Sequence, residues 1–121
     1  MKISIITTLV LMINIFGCAQ DKNTEMTISE LKKQMKENPN LVILDVRNAS
    51  ELTGTLGHIE GVIHIPVQQL EDRINELEEY KDKEIAVICR TGNRSGTATS
   101  ILRSKGFNAK NVLGGMVEYR E

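Results

Sequence analysis

The stretch that best indicates the fold is Ile85-Ala86-Val87-Ile88-Cys89-Arg90-Thr91-Gly92-Asn93-Arg94-Ser95-Gly96. Its first four residues form a continuous apolar run, which is typical of a strand buried on both faces. The residues that follow Gly96 have a helical pattern, so the polar loop lies between the carboxyl end of a strand and the amino end of a helix. Ligands of α/β proteins bind at such loops. The stretch therefore indicates an α/β domain with its site at residues 89–96.

Cys89 is the first residue of this loop. A loop that closes onto a helix directs successive N–H groups inward and adds the positive end of the helix dipole, and here it also carries the guanidinium groups of Arg90 and Arg94. Such surroundings lower the pKa of a cysteine from about 8.5 to roughly 3.5–7.5, and the thiolate is the nucleophile. We expect an ionised nucleophile at Cys89. The alternative is a small apolar residue that ends a buried strand.

Helices and strands are expected to alternate along the rest of the chain. Apolar runs predict four strands, over residues 41–44, 62–65, 85–88 and 111–113. Capping and amphipathic spacing predict helices over residues 28–36, 68–80 and 95–105, and a last helical turn over residues 116–121. This alternation predicts a mostly parallel central sheet with helices on both faces. Ligands of such sheets bind beyond the carboxyl ends of the strands, which is where Asp45 and Cys89 are expected.

Residues 1–17 have the pattern of a secretory signal peptide. Lys2 precedes an uncharged apolar stretch that is too short to cross a bilayer as a helix, which takes about 20 residues. Residues 15–18 resemble a bacterial lipobox, which implies that Cys18 receives a lipid; a plain secretory signal cleaved elsewhere is the alternative. The sequence therefore predicts an exported protein of the cell envelope or periplasm, attached to a membrane only through a lipid anchor at Cys18.

Composition limits the remaining possibilities. Residues 18–25 are expected to form a flexible tether, and residues 26–121 are long enough for one domain. The formal net charge of −1 gives no support for nucleic-acid binding. If Cys18 is acylated, Cys89 is the one remaining thiol and no intramolecular disulfide is possible. The sequence shows no cluster with metal-site spacing, and neither a metal nor a cofactor is predicted.

A set of ordered motifs carries a family resemblance. They are Asp45-Val46-Arg47 followed by Glu51, Gly57-His58-Ile59-Glu60-Gly61, Ile65-Pro66, the loop at residues 89–95, and Gly114-Gly115. Together they resemble a single-domain rhodanese, or thiosulfate sulfurtransferase-like protein, over residues 27–121. Tyrosine-phosphatase-like sites have five residues between their Cys and Arg, whereas four separate Cys89 from Arg94. This loop is therefore one residue too short for a phosphatase.

The resemblance implies sulfur transfer in two steps. The Cys89 thiolate attacks the outer sulfur of an anionic donor such as thiosulfate, and cyanide or a thiol then removes that sulfur from the resulting persulfide. The residues implied to bind the substrate are Arg90, Thr91, Gly92, Asn93, Arg94 and Ser95. The alternative is a module that carries or senses a persulfide, turns over little by itself and passes its sulfur to a partner protein.

Three residues outside the loop are expected to support it. Asp45 either accepts hydrogen bonds from the loop or pairs with Arg47, and Arg47 is expected to form an ion pair with Glu51. His58 is either a hydrogen-bonded structural histidine or a proton shuttle.

Within the loop, each polar side chain also has a second interpretation. Arg90 and Arg94 either orient an anionic donor or are solvent-exposed charges. Thr91 and Ser95 either lend hydroxyl groups to the persulfide or cap the following helix, and capping is expected for Ser95.

Overall fold

The computed structural model describes residues 23–121, which form a five-stranded sheet packed between helices. The strands are β1 (Glu25–Met26), β2 (Val42–Asp45), β3 (Ile63–His64), β4 (Glu84–Ile88) and β5 (Asn108–Val112). The helices are α1 (Ile28–Glu37), α2 (Ala49–Leu52), α3 (Asn93–Ser104) and α4 (Gly115–Tyr119). The strand order is β1-β5-β4-β2-β3, and every neighbouring pair is parallel. The predicted α/β class with a parallel sheet is confirmed.

The sheet is covered on both faces. On one face α1 and α4 bury Leu31 and Met116 against β4 and β5. On the other, α3 buries Ala98 and Leu102. The central strand β4 contacts both layers and four of its residues have no exposed surface, which explains its continuous apolar sequence. Because β4 lies beside β2 in parallel, the residues that follow these two strands lie close together.

The first helix begins as the sequence predicts. Thr27 Oγ1 accepts a hydrogen bond from the Glu30 N–H, and a Glu30 carboxylate oxygen accepts one from the Thr27 N–H, at 3.1 and 3.2 Å. These two bonds form the expected capping box. The second long helix, α3, starts two residues before the predicted position, and Gly106 follows its end with φ of +89°.

Residues 68–80 do not form the single α-helix that their amphipathic pattern predicts. Two 3₁₀ segments, Val67–Gln69 and Ile74–Tyr80, lie on either side of a turn at residues 70–73, in which Arg73 has φ of −114°. A 3₁₀ turn rises about 2.0 Å per residue against 1.5 Å in an α-helix. Each 3₁₀ segment is therefore longer than an α-helix of the same number of residues, and Leu70 and Leu77 are both fully buried. Over so short a segment, apolar spacing does not distinguish the two helix types.

The pairing of β1 with β5 was not predicted. Strand β5 begins three residues before the expected start, because its polar residues Asn108 and Lys110 hide the strand pattern; Lys110 is nevertheless buried beside Glu84 at 3.0 Å. Strand β1 is too short to leave a pattern, and Glu25, the last residue of the predicted tether, lies in it.

The N-terminal predictions fall outside the described residues. The signal peptide over residues 1–17 and the lipidation site at Cys18 both precede residue 23. Within residues 23–121, no helix has the length and apolar character needed to cross a membrane.

Candidate active site

Cys89 lies at the junction of β4 and α3. Its Sγ accepts a hydrogen bond from the Gly92 N–H at 3.1 Å and lies 3.2 Å from Ser95 Oγ. Gly92 has φ of +110°, a conformation that L side chains rarely adopt, and this lets the chain turn back on the sulfur within three residues. Cys89 is only 1% exposed. The loop therefore encloses the sulfur as the sequence predicts.

Two opposing effects set the acidity of this thiol. Burial raises the pKa of Cys89 because it disfavours the charged form. The N–H groups of Ser95, Gly92 and Thr91 stabilise the thiolate, as does the Ser95 hydroxyl when its proton is turned towards the sulfur, and the pKa of Cys89 lies below its ordinary value. The site therefore favours the thiolate, the nucleophilic form, more than the surroundings of an ordinary cysteine do.

The glycine pair at residues 114–115 supports the loop from the other side. The Met116 N–H donates to Cys89 O at 2.8 Å, and the Val117 N–H donates to Arg90 O at 3.1 Å. A Cβ at Gly115 would clash with the carbonyl oxygens of Arg90 and Cys89. The backbone of α4 thus packs directly on the backbone of the loop, which only glycine permits at this position.

Asp45 and Arg47 form a buried ion pair at the carboxyl end of β2. Arg47 Nη2 and Nε donate to the two carboxylate oxygens at 2.8 and 3.0 Å, and Nη2 also donates to Gly57 O at 2.7 Å. Asp45 is 0% exposed and Arg47 is 1% exposed. Of the two alternatives left open for Asp45, the structure shows pairing with Arg47. The predicted ion pair between Arg47 and Glu51 is wrong, since Arg47 contacts only the main-chain carbonyl of Glu51.

The Glu51 carboxylate pairs with Arg94 instead. Arg94 Nη1 and Nη2 donate to its two oxygens at 2.7 and 2.8 Å, a bidentate arrangement that links α2 to the loop. The hydrogen bond from Arg94, assisted by the Asn48 N–H, outweighs burial and lowers the pKa of Glu51 to about 2. Arg94 is therefore not a free loop charge.

This pair predicts a pH-dependent stability. The pKa of Glu51 is lowered from 4.5 to about 2 on folding, so its contribution is present above pH 4.5 and is lost as the pH falls towards 2. We expect wild type to be more stable than Glu51→Gln at neutral pH, and the difference to shrink between pH 4.5 and pH 2. Urea unfolding of both proteins across this range measures the difference. A difference that stays constant with pH would contradict the role of the pair.

Ser95 does not cap α3, contrary to the expectation. Gly92 occupies the N-cap position, and Ser95 Oγ instead lies beside the sulfur and donates to Asn111 Oδ1 at 2.6 Å. Asn111 is a site residue that the sequence reasoning missed. The available signal was an amide side chain within a strand that pairs with β4.

The remaining predicted residues do not contact the Cys89 side chain through their own side chains. His58 Nδ1 is 3.1 Å from Leu52 O, which places this histidine in the turn after α2. Thr91 and Asn93 are exposed. The exposed Arg90 side chain makes no hydrogen bond or ion pair within the described part of the chain. It borders a pocket of about 240 Å³, whose other lining residues are Arg47, Ser50, Glu51, Gly54, Thr55 and Leu56.

Comparison with known proteins identifies the domain. The model of the rhodanese-like domain matches residues 27–121. The chain belongs to the rhodanese-like family. Its rhodanese-like relatives include the putative sulfurtransferase YtwF of Bacillus subtilis, which is 33% identical over 95 residues, covering 78% of this chain and 88% of YtwF.

Two longer proteins contain a similar rhodanese-like segment. The putative sulfur carrier protein YrkF of Bacillus subtilis is 38% identical over 96 residues, covering 78% of this chain and 50% of YrkF. The tRNA uridine(34) hydroxylase of Cronobacter sakazakii is 34% identical over 90 residues, covering 70% of this chain and 25% of the hydroxylase. The chain thus spans half or less of these two relatives.

A solved structure shares the fold. The rhodanese-like domain protein from Staphylococcus aureus superposes with a TM-score of 0.71 at 30% identity, covering 79% of this chain and 90% of that protein. The family predicted from the motifs, and the single rhodanese-like domain, are confirmed.

Proposed function

We propose that the chain is a sulfurtransferase that moves sulfane sulfur from an anionic donor such as thiosulfate to cyanide or a thiol through a persulfide on Cys89. The observation that carries this proposal is the surroundings of the Cys89 sulfur, which accepts the Gly92 N–H and lies beside the Ser95 hydroxyl. The names of two relatives, a putative sulfurtransferase and a putative sulfur carrier, support the same chemistry.

In the first step the Cys89 thiolate attacks the outer sulfur of thiosulfate. A bond forms between Sγ and that sulfur, the sulfur–sulfur bond of the donor breaks, and sulfite leaves with the electron pair. The loop N–H groups stabilise the thiolate and then the negative charge on the terminal sulfur of the persulfide. The step uses no general base, because the lowered pKa of Cys89 raises the share of its thiolate form.

The two loop arginines have different roles. Arg94 is paired with Glu51, so most of its charge is balanced and it holds the loop in place. Arg90 is exposed beside the 240 Å³ pocket. Arg90 is therefore the side chain that attracts and orients the anionic donor.

In the second step the acceptor attacks the terminal sulfur of the persulfide. A bond forms between the acceptor and that sulfur, the bond to Sγ breaks, and Cys89 leaves as the thiolate. Because the first product departs before the acceptor reacts, the kinetics are of the ping-pong type. Incubating the full chain with thiosulfate and cyanide tests the proposal: thiocyanate is expected, and its absence together with an unmodified Cys89 would reject it.

One observation favours a second candidate, a persulfide-carrying or sensing module. Cys89 is only 1% exposed, which limits the access of small acceptors. Such burial suits a protein acceptor that opens the loop when it docks. This candidate predicts a stable added sulfur on Cys89 after thiosulfate treatment with slow loss to cyanide. Rapid turnover with cyanide would favour the enzyme.

Export and anchoring are a separate proposal, which rests on the sequence of residues 1–18 alone. We propose that the chain lies in the cell envelope or periplasm and that a lipid on Cys18 attaches it to a membrane. Detergent partitioning of the protein made in a bacterium is the test. The wild type is expected in the detergent phase and Cys18→Ala in the aqueous phase, and equal partitioning would contradict the anchor.

A further inference from the structure

A chain of hydrogen bonds runs from the catalytic sulfur to β5. Ser95 Oγ lies 3.2 Å from Cys89 Sγ and donates to Asn111 Oδ1 at 2.6 Å, and Asn111 Nδ2 donates to Gly92 O at 3.1 Å. We propose that Asn111 is a positioning residue that controls the ionisation of Cys89 by holding the single hydroxyl proton of Ser95. The inference rests on the proposed function only in taking the thiolate as the nucleophile.

The orientation of the Asn111 amide is fixed by its other partner. Gly92 O can only accept a hydrogen bond, so the amide nitrogen must face it and the amide oxygen must face Ser95. The backbone of Asn111 is held on both sides, paired with Glu25 of β1 and Val87 of β4. A Cβ at Gly96 would lie 3.3 Å from Nδ2, which shows how closely the amide packs against α3.

The proton count at Ser95 follows from this orientation. A serine hydroxyl has one proton, and an amide oxygen has none to give, so Ser95 must donate to Asn111. Only lone pairs of Ser95 Oγ are then left to face Cys89, where they accept the S–H of the neutral thiol. To stabilise the thiolate, Ser95 has to leave Asn111 and turn its proton towards the sulfur. Asn111 therefore competes with the thiolate for that proton.

Several charged side chains lie on the elements packed around Cys89. Arg94 interacts electrostatically with both Cys89 and Asp45. The same elements and their ends also carry Arg47 after β2, Glu51 on α2, Arg90 in the loop, Glu84 on β4, Arg103 on α3, Lys110 on β5 and Glu118 on α4. A neutral substitution at Asn111 leaves every one of these charges in place, so a change in the ionisation of Cys89 would report on the Ser95 proton.

The test follows the alkylation of Cys89 by iodoacetamide against pH in the full chain. Mass spectrometry of the peptide that contains Cys89 separates its reaction from that of Cys18. In Asn111→Leu the Ser95 hydroxyl is free to donate its proton to the thiolate in a hydrogen bond. The midpoint of the rate profile is therefore expected to fall by about half to one pH unit. The matched control is Asn108→Leu, an exposed position on the same strand, whose midpoint stays at that of wild type.

A second variant separates this role from a purely structural one. In Asn111→Asp the carboxylate accepts the Ser95 proton more strongly and adds a negative charge, so the midpoint is expected to rise. Both variants lose the bond to Gly92 O, and loosening of the loop alone would move both midpoints in the same direction. Shifts of the same sign, or no shift in Asn111→Leu, would overturn the proposal.

A double-mutant cycle tests the route of the coupling. Ser95→Ala is expected to raise the midpoint, and Asn111→Leu should have no further effect in the Ser95→Ala background because the shared proton is gone. A shift that persists in that background would overturn the proposal. No sulfur donor is present in these measurements, so their failure is distinguishable from a failure of sulfur transfer itself.

Discussion

Replacing Cys89 with serine is expected to abolish the formation of thiocyanate from thiosulfate and cyanide, with a loss of at least about 1,000-fold. A serine hydroxyl is not ionised at neutral pH, and its oxygen cannot hold the sulfane sulfur as a persulfide. Serine is close to cysteine in size, so the contacts of the residue 89 side chain with Gly92 and Ser95 are expected to survive. The loss is measured as the initial rate of thiocyanate formation under saturating donor.

The other cysteine of the chain supplies the matched control. Cys18 precedes the domain, and Cys18→Ser is expected to keep the wild-type rate in a detergent-solubilised assay. Circular dichroism and urea unfolding of Cys89→Ser should match wild type, which shows that the fold is intact. Turnover retained in Cys89→Ser, or lost equally in Cys18→Ser, would contradict the assignment of the nucleophile.

Replacing Asp45 with alanine is expected to lower the free energy of unfolding by about 3–5 kcal/mol. The substitution leaves the guanidinium of Arg47, which is 1% exposed, without its counter-charge. A buried charge with no partner is among the most costly defects in a folded protein. Because Arg47 also bonds Gly57 O, the turn that follows α2 is expected to loosen as well. Urea unfolding at pH 7 measures the change.

Two further variants identify the cause of this loss. Glu76→Ala breaks the exposed pair between Arg73 and Glu76 and is expected to unfold close to wild type, since exposed pairs contribute little. Adding Arg47→Met to Asp45→Ala removes the orphaned charge and should restore much of the lost stability. If Asp45→Ala is as stable as wild type, or if Arg47→Met destabilises it further, the stability does not depend on this pair.

The parts of the fold that follow from local patterns were predictable. The continuous apolar run of β4 and the alternation of strands with helices led to a parallel sheet, and the capping box located the start of α1. The 3₁₀ segments and β1 were not predictable, since Leu70 and Leu77 are compatible with either helix type and β1 exists only through its pairing with β5.

The site divides in the same way. The loop around Cys89 is contiguous in sequence, so its residues could be placed together from their order alone. The partner of Glu51 could not be predicted in this way. Arg47 lies four residues away in sequence, whereas Arg94 lies 43 residues away and meets Glu51 only because α2 packs against the loop. Asn111 is likewise brought to Ser95 by the neighbouring position of β5 and β4 in the sheet.

The mass of the intact protein after treatment with thiosulfate tests the central claim most directly. The protein is freed of excess donor, and its mass is compared before and after addition of cyanide. A gain of one sulfur atom, located on the peptide containing Cys89 and removed by cyanide with release of thiocyanate, is the expected result. An unchanged mass, or a sulfur atom added elsewhere in the chain, would contradict a persulfide mechanism at Cys89.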